Sequence, residues 1–396
     1  MICYGYGRNP QARIQVTKAY FEQTIGNFKQ LTTSIDSVYL VEASPALRES
    51  QRQLLCGNAP VEDLEGSFQC RSKHANIPIT WCEDIRFVPK GRLQLCKVER
   101  RLTGTADSSK TPFIVAHEFF DALPIFAFQS VPPKPQGPSN ILETPTGPIP
   151  LSKQSQASRE SQWRELLVTT TLSASQSNAI AKSQPKSGER PDFELTVAKA
   201  STPTSTLLPS LSTRYKALLP RSGSTIEISP ESHSYAAEFA RRIGGISSQQ
   251  PQKQVASGAA LIFDYGPSGT VPISTFRGIR SHKSVSPFIS AGQVDLSADV
   301  DFTALAEAAL AASPGVEVHG PVEQGAWLET MGIRARADTI CQELKEDEDG
   351  KKRVMGAVER LVERGGGGMG KLYKAMAIVP ERGGKRPVGF GGELQA

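Results

Sequence analysis

The amino-acid sequence predicts an α/β fold in which helices cover both faces of a parallel sheet. Two observations support this prediction. Short apolar segments such as SVYLVE (37–42) and PFIVA (112–116) have the length of buried strands, and they alternate with segments of helical character. Acidic residues also follow several of these apolar segments directly, and polar side chains at such positions reach the ligand-binding edge of a parallel sheet.

The N-terminal third contains the clearest elements. A helix is expected over 12–30 and a strand over 37–42. SPALRESQRQLL (44–55) begins with a serine that can cap a helix and a proline at the first helical position, so it predicts a second helix. IPITW (77–81) and PFIVA (112–116) are the next two strands.

In the rest of the chain, segments that predict helices or strands alternate with segments of unusual composition. A helix is expected at 231–243, between two strands. The segments 131–160 and 171–192 are rich in Pro, Ser, Gln and Gly and predict loops or disordered insertions, while LKEDEDGKKR from residue 344 predicts a charged linker. The further strands are expected at ELTVAKA, STIEIS, GAALIFDYG and KLYKAMAIV.

Composition suggests four parts along the chain. The predicted parts are the N-terminal portion of the main domain (1–130), a Pro/Ser-rich insertion with short strands (131–220), the remainder of the main domain (221–343), and a charged, glycine-rich linker with a terminal strand (344–396). The 396 residues include 38% hydrophobic ones, which is sufficient for a sizeable core. A net charge of +5, spread along the chain, does not favour a nucleic-acid groove, and no apolar run approaches the roughly 20 residues of a membrane span.

The six cysteines do not have the spacing of a metal or redox site. None forms a C-x-x-C pair or stands at ligand spacing from a histidine, so no metal site is predicted. Free thiols are expected, as in an intracellular chain. The first residues show neither a secretory signal nor a convincing mitochondrial presequence.

Four acidic residues lie at the C-terminal end of a predicted strand or shortly after it: Glu42, Asp84, Glu118 and Asp264. Carboxyl ends of parallel strands face the crevice where ligands bind, and a carboxylate there can accept hydrogen bonds from both hydroxyls of a ribose. The alternative for each acid is capping of a following helix. For the set of four, ligand binding is the favoured interpretation.

Eight longer segments carry a family resemblance: YLVEASPALRESQ, ITWCEDIRFVPKG, AHEFFDALPIFAFQ, EISPES, LIFDYG, FRGIRSHKSVSPFISAGQVDLSADVDFTALA, QGAWLETMGI and MGKLYKAMAIV. They occur in the order of the MidA-like family, which the chain resembles over most of 35–130 and 220–380. The resemblance implies a Rossmann-like class I methyltransferase sheet with S-adenosyl-L-methionine as cofactor. It also implies symmetric dimethylation of an arginine on a complex I subunit, in the mitochondrial matrix, during assembly of respiratory complex I.

The resemblance also implies roles for single residues. Glu42 resembles the acid that holds the cofactor ribose, and Asp84 lies in a segment that resembles the adenine-side loop. Glu118 and Asp121, in the E-F-F-D-A-L-P element, would lie beside the transferred methyl group and the acceptor as catalytic residues, and Glu118 would also contact the cofactor. His282 is a second catalytic candidate, although a lone histidine in a basic loop is more often structural.

Between Glu118 and Asp121 stand two aromatic residues, Phe119 and Phe120. Core packing is the favoured interpretation for both. A cation–π contact with a bound cation is the alternative.

The start of the chain departs from the family pattern. Family members carry a first strand and a turn of the form E-L-G-x-G-x-G ahead of the second strand, and the glycines allow close approach to the cofactor. Here Gly5 and Gly7 form a lone G-x-G after only four residues, and we assign both to cofactor binding. We expect the first strand and the full glycine loop to be missing and the chain to be N-terminally truncated.

Two alternatives stay open beside the arginine methyltransferase, and the departure at the start of the chain supports the first of them. A catalytically impaired homologue could act as a binding or assembly protein without turnover. A small-molecule methyltransferase is the third reading, because nothing in the residues alone identifies arginine as the acceptor.

Overall fold

The computed structural model describes residues 2–5, 33–73, 75–89, 111–133, 141–144, 147–150, 160–171, 191–245, 256–281, 283–365 and 367–392, with the backbone alone for 2–5, 141–144 and 147–150. The chain forms two compact units, each assembled from separate segments. The first unit comprises Met1–Ala122, Glu231–Gly269 and Phe302–Ala396, and the second comprises Leu123–Pro230 and Thr270–Asp301. The four-part division expected from composition stays a prediction.

The strands of the described residues belong to four sheets. In chain order they are β1 (Ile2–Gly5), β2 (Val38–Val41), β3 (Val61–Leu64), β4 (Ser67–Arg71), β5 (Pro78–Cys82), β6 (Phe113–His117), β7 (Phe126–Val131), β8 (Ile141–Thr144), β9 (Gly147–Pro150), β10 (Gln162–Thr170), β11 (Phe193–Val197), β12 (Thr225–Ile228), β13 (Ala259–Tyr265), β14 (Arg277–Arg280), β15 (Lys283–Val285), β16 (Asp295–Ser297), β17 (Val316–Glu323) and β18 (Tyr373–Pro380).

Eight α-helices of the described residues lie between these strands along the chain. In chain order they are α1 (Pro45–Cys56), α2 (Pro203–Leu207), α3 (Thr213–Leu218), α4 (Pro230–Gly244), α5 (Phe302–Ala312), α6 (Gln324–Thr330), α7 (Ile333–Glu343) and α8 (Glu348–Val362). Short 3₁₀ turns occur at Ile85–Phe87, Phe120–Ala122 and Leu208–Ser210. Two of these turns come shortly after strands of the first unit: Asp84 caps the turn Ile85–Phe87, and Asp121 lies within the turn Phe120–Ala122.

A nine-stranded sheet forms the centre of the first unit, in the order β17-β18-β13-β6-β1-β2-β5-β4-β3. The five strands β13, β6, β1, β2 and β5 are parallel, and β18 runs antiparallel between β13 and β17. From β1 the chain builds outward through β2 and β5 on one side and then through β6 and β13 on the other. The strand order therefore reverses between β1 and β6, and a doubly wound sheet binds ligands at this reversal.

The expectation that the first strand is missing is wrong. Residues Ile2–Gly5 pair in parallel with β2 on one side and with β6 on the other, with Cys3 opposite both Leu40 and Val115. Four residues suffice as a strand here because neighbours on both edges pair with their backbone. The predicted helix at 12–30 and the position of Gly7 lie outside the described residues.

The segment from strand β2 to strand β5 follows the sequence prediction closely. Ser44 caps α1 by accepting the Leu47 N–H at 3.3 Å, and Pro45 occupies the first turn. The buried face of α1 packs on β2, β4 and β5, and the Trp81 indole N–H donates to Gln51 at 3.0 Å. This packing fixes the carboxyl ends of β2 and β5, where two of the predicted site residues lie.

Two segments expected to be irregular contain regular structure. The charged tail forms helix α8, because Asp347 caps its N-terminus and the valines at 354, 358 and 362 share one face that packs near Ala337. Within the predicted insertion, β8 and β9 pair as an antiparallel hairpin. Cross-strand pairing and helix packing are tertiary effects, which a compositional bias toward polar residues does not reveal.

The second unit has its own sheet and core. Its four-stranded sheet has the order β11-β10-β7-β12, and β14, β15 and β16 form a smaller sheet. The core contains Phe128, Tyr215 and Ile226. Among the described residues, no helix is both long and apolar enough to cross a membrane.

Candidate functional site

The first predicted site residue, Glu42, directly follows strand β2. It is 2% exposed, its N–H donates to the Cys82 carbonyl at 2.9 Å, and its Oε1 accepts the Ser44 N–H at 3.0 Å. Ser44, and not Glu42, caps α1 through its side chain. The capping alternative is therefore wrong for Glu42, whose carboxylate is instead held at the end of the strand next to β1.

A buried arginine joins this strand end to the next one. Arg48 of α1 donates to the Glu42 carbonyl at 3.2 Å and to Oε1 of Glu83 at 2.9 Å. Glu83 follows β5, so one guanidinium ties the carboxyl ends of β2 and β5 together. Burial raises the pKa of the neighbouring Cys82 thiol to about 11, which keeps this side chain uncharged.

Asp84 lies at the carboxyl end of β5 and caps the short turn that follows. Its Oδ1 accepts the Arg86 N–H at 2.8 Å and pairs with the Arg86 side chain at 2.9 Å. The capping alternative is thus confirmed for Asp84. These bonds use one carboxylate oxygen of a side chain that is 31% exposed, so the acid also remains accessible.

The loop behind Asp84 is clamped by an arginine of α4. The buried Arg242 guanidinium donates to the carbonyls of Ile85, Val88 and Pro89 at 3.0 to 3.1 Å, and its Nε pairs with Glu238 at 3.0 Å. Carbonyl oxygens in a loop have no strand partner, and a guanidinium with five donors satisfies several at once. The loop at the end of β5 is therefore held in one position.

Glu118 directly follows β6, at the reversal of the strand order. Its φ of 47° is in the left-handed region, which a residue with a side chain adopts at a cost. Its N–H donates to the Phe263 carbonyl at 2.9 Å, and its Oε1 accepts the Tyr373 hydroxyl at 2.8 Å. The first contact holds the backbone of Glu118 beside β13, and the second holds its carboxylate beside the start of β18.

Asp121 and Asp264 form the buried part of the site. Asp264, fully buried at the end of β13, accepts through Oδ2 the N–H groups of Phe119, Phe120 and Asp121 at 2.9 to 3.4 Å, and through Oδ1 that of Tyr265 at 3.0 Å. Asp264 therefore caps the turn that carries Asp121. This turn lies before Asp264 in the chain, with Phe120 144 positions away, so it is not the following helix of the capping alternative. Asp121 is 4% exposed and accepts a hydrogen bond from the Tyr265 hydroxyl.

The two carboxyl groups influence each other. Burial raises the pKa of Asp264 well above its usual value, and the nearby Asp121 carboxylate raises it further, whereas the N–H donors of Tyr265 and Phe120 oppose the shift. Two adjacent buried acids favour a single shared negative charge over two separate charges. Asp264 therefore keeps its proton to a higher pH than an exposed aspartate does.

The two phenylalanines between the acids are core residues. Phe119 and Phe120 are buried and pack edge to face at 5.1 Å between ring centroids. Phe119 also contacts Tyr235 at 4.8 Å, and Phe120 contacts Phe239 at 6.0 Å, both on α4. The core-packing interpretation is confirmed.

His117 was not predicted as part of the site. It is the last residue of β6, it pairs in register with Gly5 of β1 and Phe263 of β13, and its ring lies 6.1 Å from that of Phe263. Burial lowers the pKa of His117, while the charge of Glu118 opposes this effect. The sequence contained one signal for His117 as a site residue: it stands at the end of an apolar strand, directly before Glu118.

This lowered pKa predicts a loss of stability in mild acid. In the unfolded chain the imidazole binds a proton near its ordinary pKa of 6.5, whereas in the folded chain it binds one only at lower pH. Stability is therefore complete above that value and falls as pH decreases through it. We expect His117→Gln to flatten this decline, measured as the urea midpoint at about pH 7.5 and about pH 5.5. Equal declines in the variant and the unsubstituted chain would contradict the assignment.

The remaining predicted site residues are only partly within the described structure. Gly5 ends β1 opposite His117, which is the position of a cofactor-binding turn in a doubly wound sheet. Gly7 and His282 lie outside the described residues. Within the described part of the chain, no group of three or more His, Cys, Asp or Glu residues could hold a metal ion.

Comparisons with known proteins identify the family of this chain. A family model described as "Putative S-adenosyl-L-methionine-dependent methyltransferase" matches residues 18–322. The human mitochondrial protein arginine methyltransferase NDUFAF7 is 27% identical over 349 residues, which are 87% of this chain and 59% of that protein. Its Drosophila melanogaster homologue is 26% identical over 349 residues, covering 87% of this chain and 61% of the homologue. The chain thus spans about three fifths of the length of these relatives.

The fold also matches a solved structure. A candidate methyl transferase from Burkholderia thailandensis, bound to S-adenosyl-homocysteine, superposes with a TM-score of 0.56 at 17% identity and covers 98% of this chain and 72% of that one. At this level of identity the match concerns the fold alone. It confirms the predicted Rossmann-like sheet.

Proposed function

The chain belongs to the family of S-adenosyl-L-methionine-dependent methyltransferases, and from this membership we propose that it methylates an arginine side chain of a protein substrate. One observation carries the proposal beyond the family: the acids Glu118 and Asp121 lie just beyond β6, where the strand order reverses. Ligands of doubly wound sheets bind at this place.

The cofactor side fits the residues at the neighbouring strand ends. Glu42 stands at the end of β2, next to β1, where a carboxylate can accept hydrogen bonds from both ribose hydroxyls. Asp84 and its loop would lie on the adenine side. Gly5, at the end of β1, and Gly7, close behind it in sequence, would let the backbone approach the cofactor closely.

The acceptor side calls for negative charge. Bound S-adenosyl-L-methionine supplies a methyl group on a positively charged sulfur. An arginine side chain is protonated at neutral pH, because its pKa exceeds about 12, and in this form it is a poor nucleophile. Glu118 and Asp121 would bind the guanidinium and stabilise positive charge on the nitrogens that do not react. Glu118 would then accept the proton that the methylated nitrogen loses, with His282 as a second candidate for this step.

The direct test is methyl transfer by the purified chain. Radiolabelled cofactor would be incubated with complex I subunits and with a peptide of Gly-Arg-Gly repeats, and mass spectrometry would locate the label. Dimethylation of arginine supports the proposal. Label on a small molecule alone would favour a small-molecule methyltransferase. Cofactor binding without any methyl transfer would favour the catalytically impaired homologue that acts as a binding or assembly protein.

Strand β1 bears on the choice between enzyme and binding protein. The binding alternative was based on the absence of a first strand and of a full glycine loop. A strand now occupies the first position, between β2 and β6. This observation supports the proposal that the chain is an enzyme.

Location and substrate are further parts of the proposal. Relatives from several animals are named as mitochondrial proteins. Together with the resemblance to the MidA-like family, this supports a place in the mitochondrial matrix and a complex I subunit as substrate. Protease protection of the endogenous protein in isolated mitochondria and in mitoplasts would test the location.

Glu42→Ala is expected to weaken cofactor binding. Loss of a charge-assisted pair to the ribose should cost about 1–3 kcal/mol, which is roughly a 5- to 150-fold change in affinity. Titration calorimetry with S-adenosyl-L-methionine measures this directly. Glu62→Ala, which removes an exposed acid of β3, is the matched control. Unchanged affinity in Glu42→Ala would remove this residue from the cofactor site.

A further inference from the structure

We propose that a pair of tyrosines, Tyr265 and Tyr373, positions the acids Glu118 and Asp121 for methyl transfer. The inference rests on the proposed function and adds two positioning residues to it. Tyr265 is the last residue of β13 and Tyr373 is the first of β18. Because these strands are antiparallel, their register places the two tyrosines directly opposite each other.

Each tyrosine holds one acid. The Tyr373 hydroxyl donates to Oε1 of Glu118 at 2.8 Å, and the Tyr265 hydroxyl donates to Oδ2 of Asp121. The two rings pack edge to face with centroids 5.3 Å apart. The separation of the two hydroxyl groups is therefore set by strand pairing and ring packing. Through these bonds, the tyrosines also set the separation of the two carboxylates.

The backbone of Glu118 needs such support. Its left-handed conformation is strained for a residue with a side chain. Strained residues persist where surrounding contacts determine their position, and they are frequent at functional sites. The Glu118 N–H bond to Phe263 and the side-chain bond to Tyr373 supply these contacts from the two adjacent strands.

The chemistry of the hydroxyl groups suits positioning. A phenol that donates to a carboxylate forms a short, charge-assisted bond and leaves the negative charge on the acid. It thereby fixes one oxygen of each carboxylate. A guanidinium is planar and presents its donors in a rigid fork, so its binding depends on the relative orientation of the acceptor oxygens. The tyrosines would therefore determine how precisely the arginine is presented.

Tyr373→Phe tests the inference, because it keeps the ring packing and removes only the hydroxyl. With the Gly-Arg-Gly peptide as probe, we expect kcat to fall roughly tenfold or more, while the KM for S-adenosyl-L-methionine and the thermal midpoint stay unchanged. Tyr265→Phe should lower kcat in the same way, but it should also lower the thermal midpoint, because it removes a hydrogen-bond donor from the buried Asp121 carboxylate. The double variant should lose less than the product of the two single effects, because both tyrosines act on one pair of acids. Tyr39→Phe, on β2 of the same sheet, is the matched control.

A structural measurement makes the test independent of activity. In a crystal structure of Tyr373→Phe, we expect the Glu118 carboxylate to be displaced or to occupy more than one conformation. An unmoved Glu118 would overturn the inference, and so would a kcat within about twofold of the unsubstituted chain. If the unsubstituted chain transferred no methyl group to arginine, the proposed function would fail. The crystallographic comparison would then still decide whether Tyr373 positions Glu118.

Discussion

Asp264→Ala should produce the largest loss of stability of any single substitution in the site. It leaves the buried N–H groups of Phe119, Phe120 and Asp121 without the acceptor that now satisfies them. Each unsatisfied buried donor costs about 1–3 kcal/mol, against a total stability of about 5–15 kcal/mol for a domain. We expect a loss of about 4 kcal/mol or more, measured by urea denaturation, or aggregation on expression.

Two further variants make this result specific. Asp264→Asn retains one acceptor oxygen and should lose less stability than Asp264→Ala. Asp36→Ala removes an exposed acid from the same unit and should change stability by less than about 0.5 kcal/mol. A stable Asp264→Ala protein with normal cofactor affinity would show that the turn at Phe120–Ala122 does not depend on this cap.

Glu118→Gln should cause the largest loss of activity. The amide keeps the shape of the side chain and can still accept the Tyr373 hydroxyl, but it removes the negative charge proposed to face the arginine. General-base and electrostatic contributions of this kind amount to roughly 100-fold or more in kcat. The thermal midpoint should be preserved. Glu65→Gln, an exposed acid of the same unit, is the matched control.

Asp121→Asn separates the two acids by role. It should also lower turnover while keeping the fold and the cofactor. If this variant instead kept its activity and unfolded at a lower temperature, Asp121 would stabilise the turn, and Glu118 alone would face the acceptor. If Glu118→Gln kept full activity as well, the acidic pair would have no part in catalysis.

Local patterns in the sequence were sufficient for several elements. Apolar segments of strand length located β2, β5, β6 and β13, and Ser44 with Pro45 located the start of α1. Strand periodicity and helix caps depend on residues close together in the chain, so a single sequence reveals them. Glu42 and Glu118 were predicted at strand ends for the same reason, and both are found there.

Other elements depend on contacts that no local pattern reveals. Ile2–Gly5 is too short to show a periodicity, and it is a strand because two neighbouring strands pair with it. The charged segment of α8 is a helix because its valine face packs near Ala337. For Asp264, the sequence left capping and ligand binding open, and only the arrangement of the turn around it favours capping.

The sequence by itself determined the fold class, the family and the strand ends at which acids lie, because these depend on local patterns and on long matching segments. Tertiary structure alone decided which acids are held by which partners. Tyr373 and Glu118 are 255 positions apart in sequence, and Asp264 and Phe120 are 144 apart. Only the pairing of β6, β13 and β18 in one sheet brings these residues within hydrogen-bond distance, since that pairing sets the register that places each strand end beside the next.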